Sequence, residues 1–175
     1  MREYWPLFYV CVSVLSIERT KMLFCNRTYA KDVILTAKKY NRTNKLRFVT
    51  LKFDLLVPID NTLTCNFYLY ELLSNVYKRS FVEFHIAACD VLTKDNLVGA
   101  MLKEAYFRMP AELRPMKTFV CPVPPGNYTF LDMNLNLFVW PENFPFQEGR
   151  VYVNFTVRDQ IVASLYLDFI IKLIK

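Results

Sequence analysis

The stretch Val151–Ile171, VYVNFTVRDQIVASLYLDFII, decides the fold. Val151, Val153, Phe155 and Val157 alternate with Tyr152, Asn154, Thr156 and Arg158. Past Arg158-Asp159-Gln160, which reads as a tight hairpin connection, Ile161, Ala163, Leu165, Leu167, Phe169 and Ile171 alternate with Ser164, Tyr166 and Asp168. A side-chain period of two sustained this long predicts half-buried antiparallel strands.

The same alternation recurs upstream. Val49, Leu51, Phe53, Leu55 and Val57 face one way, before a turn at Pro58-Ile59-Asp60-Asn61. Leu63, Cys65, Phe67 and Leu69 follow, then a short strand Phe81–Ile86, and later Leu131, Met133, Leu135 and Leu137. One segment departs from it. Leu97, Met101, Ala105 and Met109 recur every fourth residue, which predicts an amphipathic helix of about three turns, capped by Thr93 or Asp95 and ended by Pro110. Phe119-Val120-Cys121 returns the chain to a sheet, and proline-rich loops follow at Pro122–Gly126 and around Pro141 and Pro145. Short strands separated by turns, with no internal repeat or linker, predict an all-β sandwich.

The N-terminus reads as a secretory signal peptide over residues 1–16. Arg2 precedes an apolar run from Tyr4 to Leu15, and Val14 and Ser16 supply the cleavage pattern. The run falls short of the ~20 apolar residues that span a bilayer. Cleavage there leaves one domain, residues 17–175, in an oxidising and glycosylating compartment; the competing reading is an uncleaved anchor. The 175-residue chain is 54% apolar, with 15 Phe and 11 Tyr. That surplus implies either a large aromatic core or a lined cavity. Its formal net charge is +6, with a basic run at Lys38, Lys39, Arg42, Lys45, Arg47 and Lys52. In a secreted protein such a run meets acidic glycans or anionic head groups rather than nucleic acid, or is simply a solvated strand face.

Cys25, Cys65, Cys89 and Cys121 remain after signal removal, an even count that implies two disulfides with three connectivities open. Pairing Cys89 with Cys121, which flank the helical segment, would close a loop worth about 3–4 kcal/mol and leave Cys25 with Cys65. Four sequons stand at Asn26, Asn41, Asn127 and Asn154, and Asn154 falls on the polar strand face that glycosylation requires. Zinc would need Cys or His pairs at close spacing with a second pair to match, and none occurs; His85 and Cys89 come nearest. His85 is the only histidine, inside a predicted strand, and the three glycines are too scattered for a phosphate cradle. The reading is therefore non-enzymatic, without metal or cofactor.

Lys38-Lys39-Tyr40-Asn41-Arg42-Thr43, a strand from Phe48, Phe84-His85-Ile86-Ala87-Ala88-Cys89-Asp90, Cys121-Pro122 and Pro125-Gly126-Asn127-Tyr128 occur in that order. The order resembles a family of secreted insect proteins that includes chemosensory members and is thought to be related to the ML lipid-recognition superfamily and the ganglioside activator protein. Members often carry a cysteine just before Asn-Arg-Thr; here that stretch is Val33-Ile34-Leu35-Thr36, and Cys65 looks like an addition. The resemblance implies a Cys89–Cys121 bridge and an immunoglobulin-like sandwich or cup holding a hydrophobic ligand between its sheets.

Two functions follow as expectations. One is a secreted binder of lipids or other hydrophobic small molecules, with a chemosensory or pheromone-related role implied by the resemblance alone. The other is an extracellular module with a filled core that docks to a receptor or glycan. For the first, the expected pocket residues are Phe53, Leu55, Phe67, Leu69, Leu135, Leu137, Phe155 and Phe169, with Trp140, Phe144 and Phe146 as a lip.

Overall fold

A computed structural model describes residues 12–39, 42, 47–135 and 144–174. The elements run β1 (Val12–Cys25), β2 (Ala30–Lys39), β3 (Arg47–Leu55), β4 (Leu63–Leu73), β5 (Val76–Ala87), α1 (Ala88–Thr93), α2 (Val98–Phe107), a 3-10 turn (Ala111–Leu113), β6 (Gly126–Met133), β7 (Glu148–Val157) and β8 (Gln160–Ile174). They form an antiparallel β-sandwich. One sheet has the order β1-β8-β7-β4-β5 and the other β2-β3-β6. Leu15, Ile17, Leu69 and Phe169 from the larger sheet meet Val49 and Met133 from the smaller in one core.

Two tight turns set the register. Arg158 and Asp159 both have positive φ, as do Ser74 and Asn75. Two such residues in succession make the turn whose twist suits a hairpin. The second turn lengthens the strand expected at Phe81–Ile86 to Val76–Ala87. Bulges then re-aim side chains. β8 carries an extra residue where Phe155 pairs with Ala163 and Thr156 with Ile161. Val162 is therefore buried and Ile161 exposed, the reverse of plain alternation. On β1, Glu18 and Leu23 are the extra residues against β8. Val12–Ser16 also belong to β1 and pair with Ile170–Ile174, so the expected cleavage point after Ser16 lies inside a strand.

The two sheets adjoin along β1 and β2, where the Thr20 hydroxyl donates to the Leu35 carbonyl at 3.4 Å. Helices line the opposite side, with α1 against β4 and β5 and α2 against β6. Helix α2 ends at Phe107, just short of the expected Pro110. Asp95 caps its start, its Oδ2 accepting from the N–H groups of Leu97 and Gly99 at 3.1 and 2.7 Å. Helix α1 carries no amphipathic period because it is only a turn and a half long. It is held instead by the Thr93 hydroxyl on the Cys89 carbonyl and by Lys94 on Asp90.

Candidate functional site

The residues expected to line a pocket pack into three neighbouring clusters. Leu69, Leu135, Phe146 and Phe169 are buried with Ala105 and Tyr106 of α2 and with Met109 just past its end, and Phe144 packs against them. Phe67 is buried with Cys65 and Val153, with Phe155 alongside. Leu55 is buried with Val123 and Tyr128, and Phe53 stacks on Tyr128 at 5.5 Å. Helix α2 fills the space between the sheets: Tyr106 is 1% exposed, and its hydroxyl exchanges hydrogen bonds with the Met116 backbone. Leu137 and Trp140 lie outside the described residues. Alternation marks which side chains point inward, and that pattern is the same for a packed core and for a lined cavity.

Cys89 and Cys121 form a disulfide with Cα atoms 5.6 Å apart, joining the start of α1 to the loop before β6. The second bridge is not formed, and Cys25 and Cys65 are free thiols. Cys25 pairs with Ala163, Ala163 with Phe155, and Phe155 with Cys65. Three strand spacings of ~4.8 Å separate the two by roughly 14 Å, about twice the reach of a disulfide. Cys65 is buried, and that burial pushes its thiol up to about 12.

The described sequons differ in setting. Asn127 is exposed and donates to Asp54. Asn26 is half-buried in the turn between β1 and β2, its Oδ1 accepting from the Thr28 N–H and hydroxyl. Asn154 stands mid-strand on the outer face of the larger sheet, its Oδ1 accepting from the Ser164 hydroxyl at 2.6 Å. Asn41 lies outside the described residues. His85 shares that outer face and is hydrogen-bonded through Nδ1 to Asn66 Oδ1 at 2.7 Å.

Two clefts lie along β1 and β2. The larger, about 580 Å³, takes Glu18, Arg19 and Thr20 from β1, Leu35–Lys38 from β2, and Arg47, Tyr77, Glu148 and Asp168. The smaller, about 420 Å³, takes Met22, Cys25, Arg27 and Ala30–Val33. Arg19, Lys21, Arg27, Lys31, Lys38 and Lys39 are all exposed along this seam, as is Arg42 just beyond it. The only acids on the two strands are Glu18 and Asp32, and Glu18 is held by Arg47 at 3.1 Å. Single basic residues on β1 lie outside the run that stood out in the sequence; the seam becomes visible only once β1 and β2 are side by side.

Among the described residues no helix is long and apolar enough to cross a membrane, and no three His, Cys, Asp or Glu side chains gather as a metal site. No family model matches the chain, and no curated protein matches it.

Proposed function

We propose that this protein is an extracellular, non-enzymatic binding module that docks a sulfated glycan through the basic seam between β1 and β2. The observation that carries this reading is the convergence of exposed cations on two adjoining strands whose acids are few, one of them already paired. Arg19 and Lys21 share a strand face at a spacing of ~7 Å, so their charges add on one side of the seam. Exposed Leu23, Phe24 and Ile34 lie beside them and offer apolar contact to sugar rings. Heparin retention in rising salt tests the reading. Lys31→Glu with Lys38→Glu should elute much earlier than the unaltered protein, while Lys78→Glu with Lys117→Glu, equal in charge but off the seam, should elute little earlier. Equal losses from both pairs would reduce the effect to net charge and sink the proposal.

A second reading, a binder of lipids or other hydrophobic small molecules, draws on one feature. The sheets adjoin along β1, which meets β2 and β3, and on the side lined by the helices α2 contributes buried Ala105 and Tyr106 to the core. Displacing α2 would open the inter-sheet space to an apolar ligand. Native mass spectrometry of protein from a lipid-containing host checks this, and a ligand-free spectrum at every charge state counts against it.

A further inference from the structure

The outer face of the larger sheet carries two registered rows. One runs Glu83, Tyr68, Tyr152, Tyr166 and Lys21 across all five strands. The next runs His85, Asn66, Asn154, Ser164 and Phe24. Tyr152 lies two residues before Asn154 on β7, so the two side chains share a face ~7 Å apart, about the width of a sugar ring. Tyr152 and Tyr166 have ring centroids 5.8 Å apart, and Tyr70 closes on Tyr152 at 4.9 Å. All four tyrosines are half-buried, and one face of the Tyr166 ring carries the Arg150 guanidinium, 3.8 Å from its centroid.

Asn154-Phe155-Thr156 is a sequon at the centre of this face. Ser164 holds the amide oxygen, so the Nδ2 that would take the sugar is the arm directed away from Ser164. We infer that the N-glycan of Asn154 lies back on this sheet and packs the apolar face of its first N-acetylglucosamine on Tyr152 and Tyr166, so that the chain's own glycan covers the tyrosine row. Aromatic rings gain from such contact because it removes apolar area from water on both partners. The inference rests on passage through a glycosylating compartment. It does not depend on the basic seam.

The test uses the full chain, secreted from a eukaryotic host, with Asn26, Asn41 and Asn127 changed to Gln so that Asn154 is the sole acceptor. Glycopeptide mapping should find Asn154 occupied. The N-acetyl methyl resonance of its first sugar should be shifted upfield by the tyrosine rings. Tyr152→Ala should abolish the shift and Tyr152→Phe should keep it; Tyr166→Thr serves where Tyr152→Ala does not fold. An occupied Asn154 with an unshifted methyl overturns the packing and leaves secretion standing. Unmodified Asn154 in a chain with all four sequons restored and the other sites occupied overturns it as well. A chain bare at all four sites overturns both this inference and the secretory reading.

Discussion

Arg150 donates two hydrogen bonds to Asp168, from Nε to Oδ1 at 2.6 Å and from Nη2 to Oδ2 at 3.1 Å. The guanidinium lies between the rings of Tyr77 and Tyr166, 4.1 and 3.8 Å from their centroids. Its hydrogen bonds with Asp168 raise the pKa of Arg150 above its ordinary value. Both side chains are largely shielded, at 15% and 11% exposure. Removing one partner of such a pair strands the other charge. Asp168→Asn should therefore cost about 3–5 kcal/mol, read as a lowered urea midpoint. Arg19 also reaches Asp168, at 4.0 Å, but is 71% exposed. Arg19→Ala should change stability by less than about 1 kcal/mol.

The separation of Cys25 from Cys65 predicts a thiol map. Non-reducing peptide mapping should recover Cys89–Cys121 as the one linked pair among these four. Cys25 is half-buried and Cys65 is 6% exposed, so an alkylating reagent should modify Cys25 in the folded protein and Cys65 only on unfolding. A peptide linking Cys25 to Cys65 would refute the register of the larger sheet.

Cys65 also predicts an alkaline limit. Burial pushes its folded pKa up to about 12, above that of an ordinary thiol. A raised thiol pKa means the unfolded chain ionises first, so the contribution is intact below about pH 8.5 and declines as pH rises toward 12. At ~1.4 kcal/mol per pH unit, the loss approaches about 4 kcal/mol. Stability of Cys65→Ala, measured by urea unfolding from pH 8 to 10, should fall less steeply than that of the unaltered protein.

Ile161 and Val162 mark where the sequence stops being a guide. The hairpin and the long alternating strands are legible because burial on one face imposes a period of two. A bulge adds a residue without leaving a compositional trace, and here it turns Val162 inward at 6% exposure and Ile161 outward at 48%. Strand β2 is not legible as a strand, because its exposed lysines hide Leu35 and Ala37, which pack on the core. The seam escaped for another reason: it needs β1 beside β2, a contact between sheets that no local pattern encodes. Val162→Asp should unfold the protein or cost more than about 3 kcal/mol. Ile161→Asp should stay within about 1 kcal/mol by thermal or urea unfolding. Reversed effects would restore plain alternation.

Gly99 is the point where α2 meets α1 too closely for a side chain. A Cβ there would stand 1.9 Å from the Val91 carbonyl oxygen, 3.0 Å from the Val91 carbonyl carbon and 3.2 Å from Asp95 Cβ. Two of these are backbone atoms and cannot rotate away, so Gly99→Ala must push the helices apart. The Cys89–Cys121 bridge restrains α1, so α2 is the element that gives way. Its displacement lifts Ala105 and Tyr106 from the core without deleting any apolar atom. Overpacking of this kind costs about 1–3 kcal/mol. Gly99→Ala should lower the urea midpoint and raise fluorescence of a hydrophobic dye in native buffer. If α2 gates an apolar site between the sheets, the same change should also increase uptake of a fluorescent fatty acid. Dye binding that rises with no fatty-acid uptake would mean a loosened core and no ligand site behind the helix.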